Sequence, residues 1–139
     1  MILNERQQRD ASAPVVLHRP VDLRVRKAMT FIEENYQRNL SLEKVASVVR
    51  LSIWYLCHLF KSETGETPAR YLKAIRMRQA RTLLTDSSLS IKEVMNKVGM
   101  GDQSHFAKDF KRVYGLTPSQ FRATLSDADS SHARSGHGS

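Results

Sequence analysis

Leu40-Ser41-Leu42-Glu43-Lys44-Val45-Ala46 returns 49 residues later as Leu89-Ser90-Ile91-Lys92-Glu93-Val94-Met95. A second block, Phe60-Lys61, Gly65, Thr67-Pro68 and Tyr71, returns at an offset of 50 as Phe110-Lys111, Gly115, Thr117-Pro118 and Phe121, so the second copy carries one inserted residue near Gly101-Asp102. An internal repeat of this length means that one supersecondary unit is used twice. In each copy an apolar set follows the helical period: Leu42, Val45, Ala46 and Val49, then Ile91, Val94, Met95 and Val98. Ser41 and Ser90 precede these helices as N-caps, and Ser90 with Glu93 forms a capping box. A turn follows, Arg50-Leu51-Ser52 or Gly99-Met100-Gly101, and then a second helix. Gly65 and Gly115 suit the left-handed position that ends it, and each Thr-Pro pair opens the next helix with a cap and a proline at its first position. Short helix, tight turn and second helix is the helix-turn-helix pattern.

Outward from the repeat, Val25, Ala28, Met29, Ile32 and Tyr36 predict one more amphipathic helix ahead of the first unit. Between the units a helix over residues 68–85 turns its apolar side from Tyr71, Leu72 and Ile75 to Met77, Ala80, Leu83 and Leu84, as a rigid connector leaving one core for another should. No alternating strand pattern appears. The predicted fold is all-α with about seven helices: two helix-turn-helix subdomains, residues 21–66 and 86–125, joined by the connecting helix. Residues 1–20, with Pro14 and Pro20, read as a flexible arm or linker stub, and residues 126–139, polar and without a large apolar side chain, as a disordered tail. His132 and His137 in that tail are expected to be solvated, not metal-bound.

The chain has 139 residues, about one domain's worth, and a net charge of +8. Residues 22–125 hold 18 basic and 10 acidic side chains, so the helical region carries the whole excess. That favours a polyanion as partner, with an acidic protein surface or a lipid headgroup layer as the other fits. One cysteine, Cys57, excludes an internal disulfide framework and a cysteine zinc cluster. No apolar run approaches the roughly 18 residues of a membrane span, and the N-terminus lacks a signal-peptide core, so a soluble cytoplasmic chain without membrane contact is expected. No enzyme is expected either. Cys57 and His58 are adjacent and point differently on a helix, and neither a glycine-rich phosphate loop nor a helical His/Glu metal pair is present. No cofactor or metal is called for.

At about 100° per residue, the second helix of the first unit puts Leu56, Leu59 and Phe60 on one side and Ile53, Trp54, Cys57, His58 and Lys61 on the other. The equivalent helix of the second unit buries Phe106 and Phe110 and turns Gln103, Ser104, Ala107, Lys108 and Lys111 outward. Gln reads adenine, Lys reads guanine, Ser meets several base edges, and Ala or Trp can touch a thymine methyl, so both arcs suit a DNA major groove. Trp54 packed on a neighbouring helix is the competing reading, and His105, on the boundary, is open between a structural role and a contact. Arg70, Arg78 and Arg81 share one sector of the connecting helix, as a cationic edge or as solvated side chains covering apolar surface, while Arg76, in the apolar sector, is expected to make structural hydrogen bonds.

Ser90 through Val94, Gly99, Asp102-Gln103-Ser104-His105-Phe106, Phe110-Lys111, Gly115, Thr117-Pro118 and Phe121-Arg122 together resemble the signature of the AraC/XylS family of bacterial transcription regulators. The first unit resembles it through Val45-Ala46, Leu51-Ser52, Tyr55-Leu56, Leu59-Phe60-Lys61, Thr64-Gly65, Thr67-Pro68 and Tyr71-Leu72. The resemblance spans residues 22–125. It departs at Met95, where a small residue is usual, at Met100, where an aromatic is common, and at His58, where Arg is common. The first two imply a repacked core; the third weakens the expectation of a basic DNA contact in the first unit.

The resemblance implies sequence-specific double-stranded DNA binding that regulates transcription, with activation through RNA polymerase. The expected DNA-contact residues are Ile53, Trp54, Cys57, His58 and Lys61 in the first unit and Gln103, Ser104, Ala107, Lys108, Lys111 and Arg112 in the second. Relatives often carry a further effector or dimerisation domain. This chain is therefore read as a small regulator or, given its proline-containing start, the end of a larger one: a monomer by itself, dimeric if an N-terminal domain is missing. The alternative function is a basic helical interaction module of anti-activator type on an acidic partner, which sequence-dependent DNA binding separates from the first.

Overall fold

The computed structural model describes residues 20–127. Among the described residues there are seven helices and no strands: α1 (Leu23–Asn35), α2 (Leu42–Val48), α3 (Ile53–Thr64), α4 (Pro68–Asp86), α5 (Ile91–Lys97), α6 (Gln103–Tyr114) and α7 (118–127). The all-α class and the paired units stand as the repeat predicts.

Each helix starts where a side chain can take an orphan backbone N–H. Ser41 accepts from Lys44, Thr67 from Arg70, and Ser90 with Glu93 closes a full capping box. Thr117 and Gln120 bond reciprocally at the start of α7. Asp22, Ser52 and Asp102 cap α1, α3 and α6 in the same way. Gly65 and Gly115 end α3 and α6 at φ 88° and 83°. Ser126 and Asp127, expected in a disordered tail, continue α7, because a nucleated helix adds a hydrogen bond for each residue it fixes. Residues 1–19 and 128–139, which hold most of the expected arm and tail with His132 and His137, lie outside the described residues.

Two cores form, one per unit. Val25, Ala28, Ile32, Val45, Ala46, Val49, Leu56, Phe60 and Ile75 make the first. Met77, Ala80, Leu84, Val94, Met95, Val98, Phe106 and Phe110 make the second. The long helix α4 therefore gives its N-terminal half to one core and its C-terminal half to the other. Met95, at the place of Ala46, is buried, and Met100, at the place of Leu51, packs at the core edge.

The units meet at the end of α1. Tyr36 packs against both cores. Arg76 on α4 donates from Nε to the Tyr36 carbonyl (2.9 Å) and from Nη2 to the Arg38 carbonyl (2.8 Å), the structural role its sector predicts. Half-burial lowers its pKa from the ordinary guanidinium value, yet a guanidinium stays charged and both carbonyls are satisfied. Gly99, in the turn after α5, sits at φ 88°, and a Cβ there would lie 2.5 Å from the Tyr36 carbonyl oxygen. Arg122 on α7 donates to the carbonyls of Leu84, Ser87 and Leu89, tying the α4–α5 loop to the last helix.

Candidate nucleic-acid interface

In both units the same construction aims the second helix outward. The turn before α3 has Arg50 at φ 59° and the turn before α6 has Gly99 at φ 88°, a residue pair related by the repeat offset. Leu51 then bonds back to the Ala46 carbonyl (3.0 Å), and Met100 to the Met95 carbonyl (3.1 Å). Apolar anchors, Leu56 and Phe60 or Phe106 and Phe110, set the rotation of each helix about its axis.

On α3, Ile53, Trp54, His58 and Lys61 are exposed and Cys57 is half-buried with a free thiol. Trp54 is 67% exposed, so it does not pack as outer core on a neighbouring helix. Its ring lies against His58, with centroids 4.0 Å apart and planes tilted by 31°. His58 Nδ1 donates to the Trp54 carbonyl at 2.9 Å. A carbonyl can only accept, so a neutral His58 holds its proton on Nδ1 and offers Nε2 as an acceptor. The pair forms an amphipathic face on the N-terminal half of α3.

On α6, Gln103, Ser104, Lys108, Lys111 and Arg112 are exposed and Ala107 is half-buried among them. His105 is exposed too, with its backbone N–H donating to the Asp102 carboxylate (3.0 Å). That bond holds the Asp102 carboxyl below the usual carboxylate range, so the cap stays ionised at neutral pH beside the positive end of α6. This arc is polar with two lysines, whereas the α3 arc is aromatic and apolar with one.

On α4, Arg81 lies over the Tyr114 ring at 5.2 Å, which uses it to brace α6, while Arg70 and Arg78 are exposed. Arg24 likewise sits over Tyr55 at 5.6 Å, beside the α3 face. The wheel reading missed Asp109. It is 3% exposed on α6 and lies 3.4 Å from Lys73 of α4 and 3.5 Å from Arg112. The signal was present: the repeat puts this acid at the place of Leu59, inside the buried arc.

The described residues hold no group of three or more His, Cys, Asp or Glu placed to bind a metal ion. Among them, too, no helix is long and apolar enough to cross a membrane.

Paired helix-turn-helix units, each turning the outer arc of its second helix to solvent, define a two-unit helix-turn-helix protein. A family described as a helix-turn-helix domain matches residues 45–124. The HTH-type transcriptional activator RhaS of Enterobacter sp. (strain 638) is 35% identical over 101 residues, covering 73% of this chain and 36% of that protein. The arabinose operon regulatory protein of Escherichia coli (strain K12) is 37% identical over 108 residues, 77% of this chain and 37% of that protein. Among solved structures, the C-terminal domain of AraT, a response regulator from Geobacillus stearothermophilus, superimposes with a TM-score of 0.72 at 34% identity, over 75% of this chain and 87% of that one. The DNA-binding domain of AdpA, solved with a target DNA, gives 0.69 at 26% identity, over 72% of this chain and 90% of that one. The chain belongs to the AraC-type helix-turn-helix family of DNA-binding transcription regulators. It spans little more than a third of the length of the two curated relatives, 36% and 37%.

Proposed function

We propose that this chain binds double-stranded DNA sequence-specifically by laying α3 and α6 in two successive major-groove segments, and that it acts in the cytoplasm as a transcription activator contacting RNA polymerase. By itself it binds as a monomer; joined to a further domain it can dimerise. The observation that carries this reading is the recurrence of one exposed arc on the second helix of both units, joined by α4. That helix has 19 residues, and at 1.5 Å per residue it is roughly 28 Å long, near the roughly 34 Å of one B-DNA turn. Ile53, Trp54, Cys57, His58 and Lys61 face one segment; Gln103, Ser104, Ala107, Lys108, Lys111 and Arg112 face the other.

With about 6–8 phosphates neutralised, log K on a selected duplex should fall with log salt at a slope of about −5 to −7. A flat titration would remove DNA as the partner. The second unit has the greater capacity for polar readout. Gln103→Ala should therefore cost about 1–3 kcal/mol on the best site and relax the preference at one base pair. Cys57→Ala should change affinity by less than about 0.5 kcal/mol, since little polar contact is lost. Titrating each variant against the site and its single-base variants checks the ranking, and a larger specificity loss from Cys57→Ala would reverse it.

A further inference from the structure

The pseudo-repeat exposes one substitution that packing does not explain. Val25, Ala28 and Ile32 on α1 and Met77, Ala80 and Leu84 on α4 are buried with the same spacing, so each helix plays the same part in its own unit. Four residues before each set stand Val21, in the segment that leads into α1, and Lys73, within α4. On the recognition helices the corresponding pair is Leu59 and Asp109. The first unit thus fills this place with two apolar side chains packed against its core, and the second with an ion pair, Lys73 Nζ 3.4 Å from Asp109 Oδ1. An ion pair whose cation is half exposed adds little stability, and even a fully buried pair is commonly replaced by apolar residues of similar volume without loss. Stability alone therefore gives no reason for the charges, and the first unit shows that the place accepts apolar residues.

Asp109 itself is buried, but its cations are not. The Lys73 side chain is half exposed and that of Arg112 three-quarters exposed, with Arg112 Nη1 3.5 Å from the same carboxylate oxygen. Arg112 lies on the shoulder of α6, about 40° beyond Lys108 and so at the margin of the reading arc. With α6 in the major groove, that shoulder faces the phosphates of the groove wall. A guanidinium has five N–H donors in a fixed fork, and Asp109 engages one end of it, leaving the other end to meet a phosphate oxygen. Lys73 adds a second charge from a different helix. Anchored on one carboxylate, the two long side chains lose less freedom on binding than they would as solvated chains.

We propose that Asp109 is a positioning residue that holds Lys73 and Arg112 as a two-pronged clamp for a DNA backbone phosphate beside α6. The inference rests on the DNA-binding reading above and adds Lys73, from the connecting helix, to the contact set.

Asp109→Asn tests it by sign. The change keeps the volume nearly constant and makes the chain one unit more positive, so an Asp109 without a positioning role gives equal or tighter DNA binding with an equal or steeper salt slope. The clamp gives binding about three- to tenfold weaker and a slope shallower by about 1. Lys73→Gln should weaken binding by a similar factor on all sequences, and Lys73→Arg should restore most of it. Because Asp109→Asn alters a buried site, the double variant Lys73→Val/Asp109→Leu, which copies the first unit, serves as the folding control. It should keep its melting temperature and helical circular dichroism while binding with a slope shallower by 1 to 2. Tighter or unchanged binding of Asp109→Asn, or a double variant with the slope of the unaltered chain, overturns the clamp. An unaltered chain with no salt-dependent duplex binding overturns the DNA reading instead, and a titration of that chain alone reveals it.

Discussion

Gly99→Ala should be the most damaging glycine-to-alanine change among the described residues, and Gly65→Ala is its internal control. Both glycines have φ 88°, a left-handed conformation that costs a side-chain-bearing residue about 1–2 kcal/mol. At Gly65 a Cβ would meet nothing within 4 Å, so that cost is the whole effect. At Gly99 the Cβ would lie 2.5 Å from the Tyr36 carbonyl oxygen and 2.9 Å from the carbonyl carbon and oxygen of Gln37. Backbone at the end of α1 cannot swing aside as a side chain can, because Arg76 holds the Tyr36 carbonyl. Overpacking adds about 1–3 kcal/mol, for a total of about 2–5 kcal/mol. In a domain of this size that lowers Tm by roughly 10–25 °C, against roughly 5–10 °C for Gly65→Ala. Thermal unfolding of the two variants side by side measures the difference. Equal losses would mean that the close approach between the units does not persist in solution.

Phe110→Ala should cost about 3–5 kcal/mol, the usual range for removing a fully buried aromatic ring. Phe110 is 0% exposed and its ring meets those of Phe106, Tyr114 and Phe121 at centroid separations of 6.1, 4.8 and 5.6 Å. It also sets the rotation of α6, so the cavity left behind loosens the helix that carries Gln103 and Lys108. Urea unfolding should show the midpoint falling with the slope unchanged. In DNA binding, the preference at base pairs facing α6 should fade before the preference at those facing α3. A stability loss below about 1 kcal/mol would show that the second core closes over the gap and that Phe110 does not set it.

What the sequence revealed was the part governed by short-range rules. Spacing, caps and turn glycines are local, and a repeat states each of them twice. Ser90 with Glu93, Thr67-Pro68 and Gly115 could be read because capping and left-handed termination depend only on neighbouring residues. The caps at Asp22, Ser52 and Asp102 follow the same rule and could have been assigned with it. The wheel separated Trp54 and His58 from Leu56 and Phe60 because helical rotation is fixed; that the two rings stack follows from their i, i+4 spacing.

Long-range relations were not legible. Gly99 reads as a turn glycine, but nothing local says that the end of α1, more than 60 residues earlier, lies against it. Asp109 was passed over because a charged residue in a mostly polar helix reads as surface, and its burial depends on Lys73, 36 residues away. The repeat offered one way to see it: an acid standing where the other copy has Leu59 must either be exposed by a shift in the helix or be paired. Arg76 was legible for the converse reason, since a guanidinium in an apolar sector needs acceptors, and the Tyr36 and Arg38 carbonyls supply them.

The most direct measurement is a binding titration of the chain on its best site, selected from a random duplex pool, and on the same site with five base pairs inserted between its two conserved segments. Two recognition helices fixed on one connecting helix can reach two major-groove segments only when both lie on one face of the duplex, and half a turn of extra DNA, roughly 17 Å, carries the second segment to the opposite face. A bipartite reader predicts that the insertion lowers affinity at least about tenfold and leaves only one segment protected in a footprint. Equal affinity for the two duplexes, or a single protected segment on the original site, would contradict it.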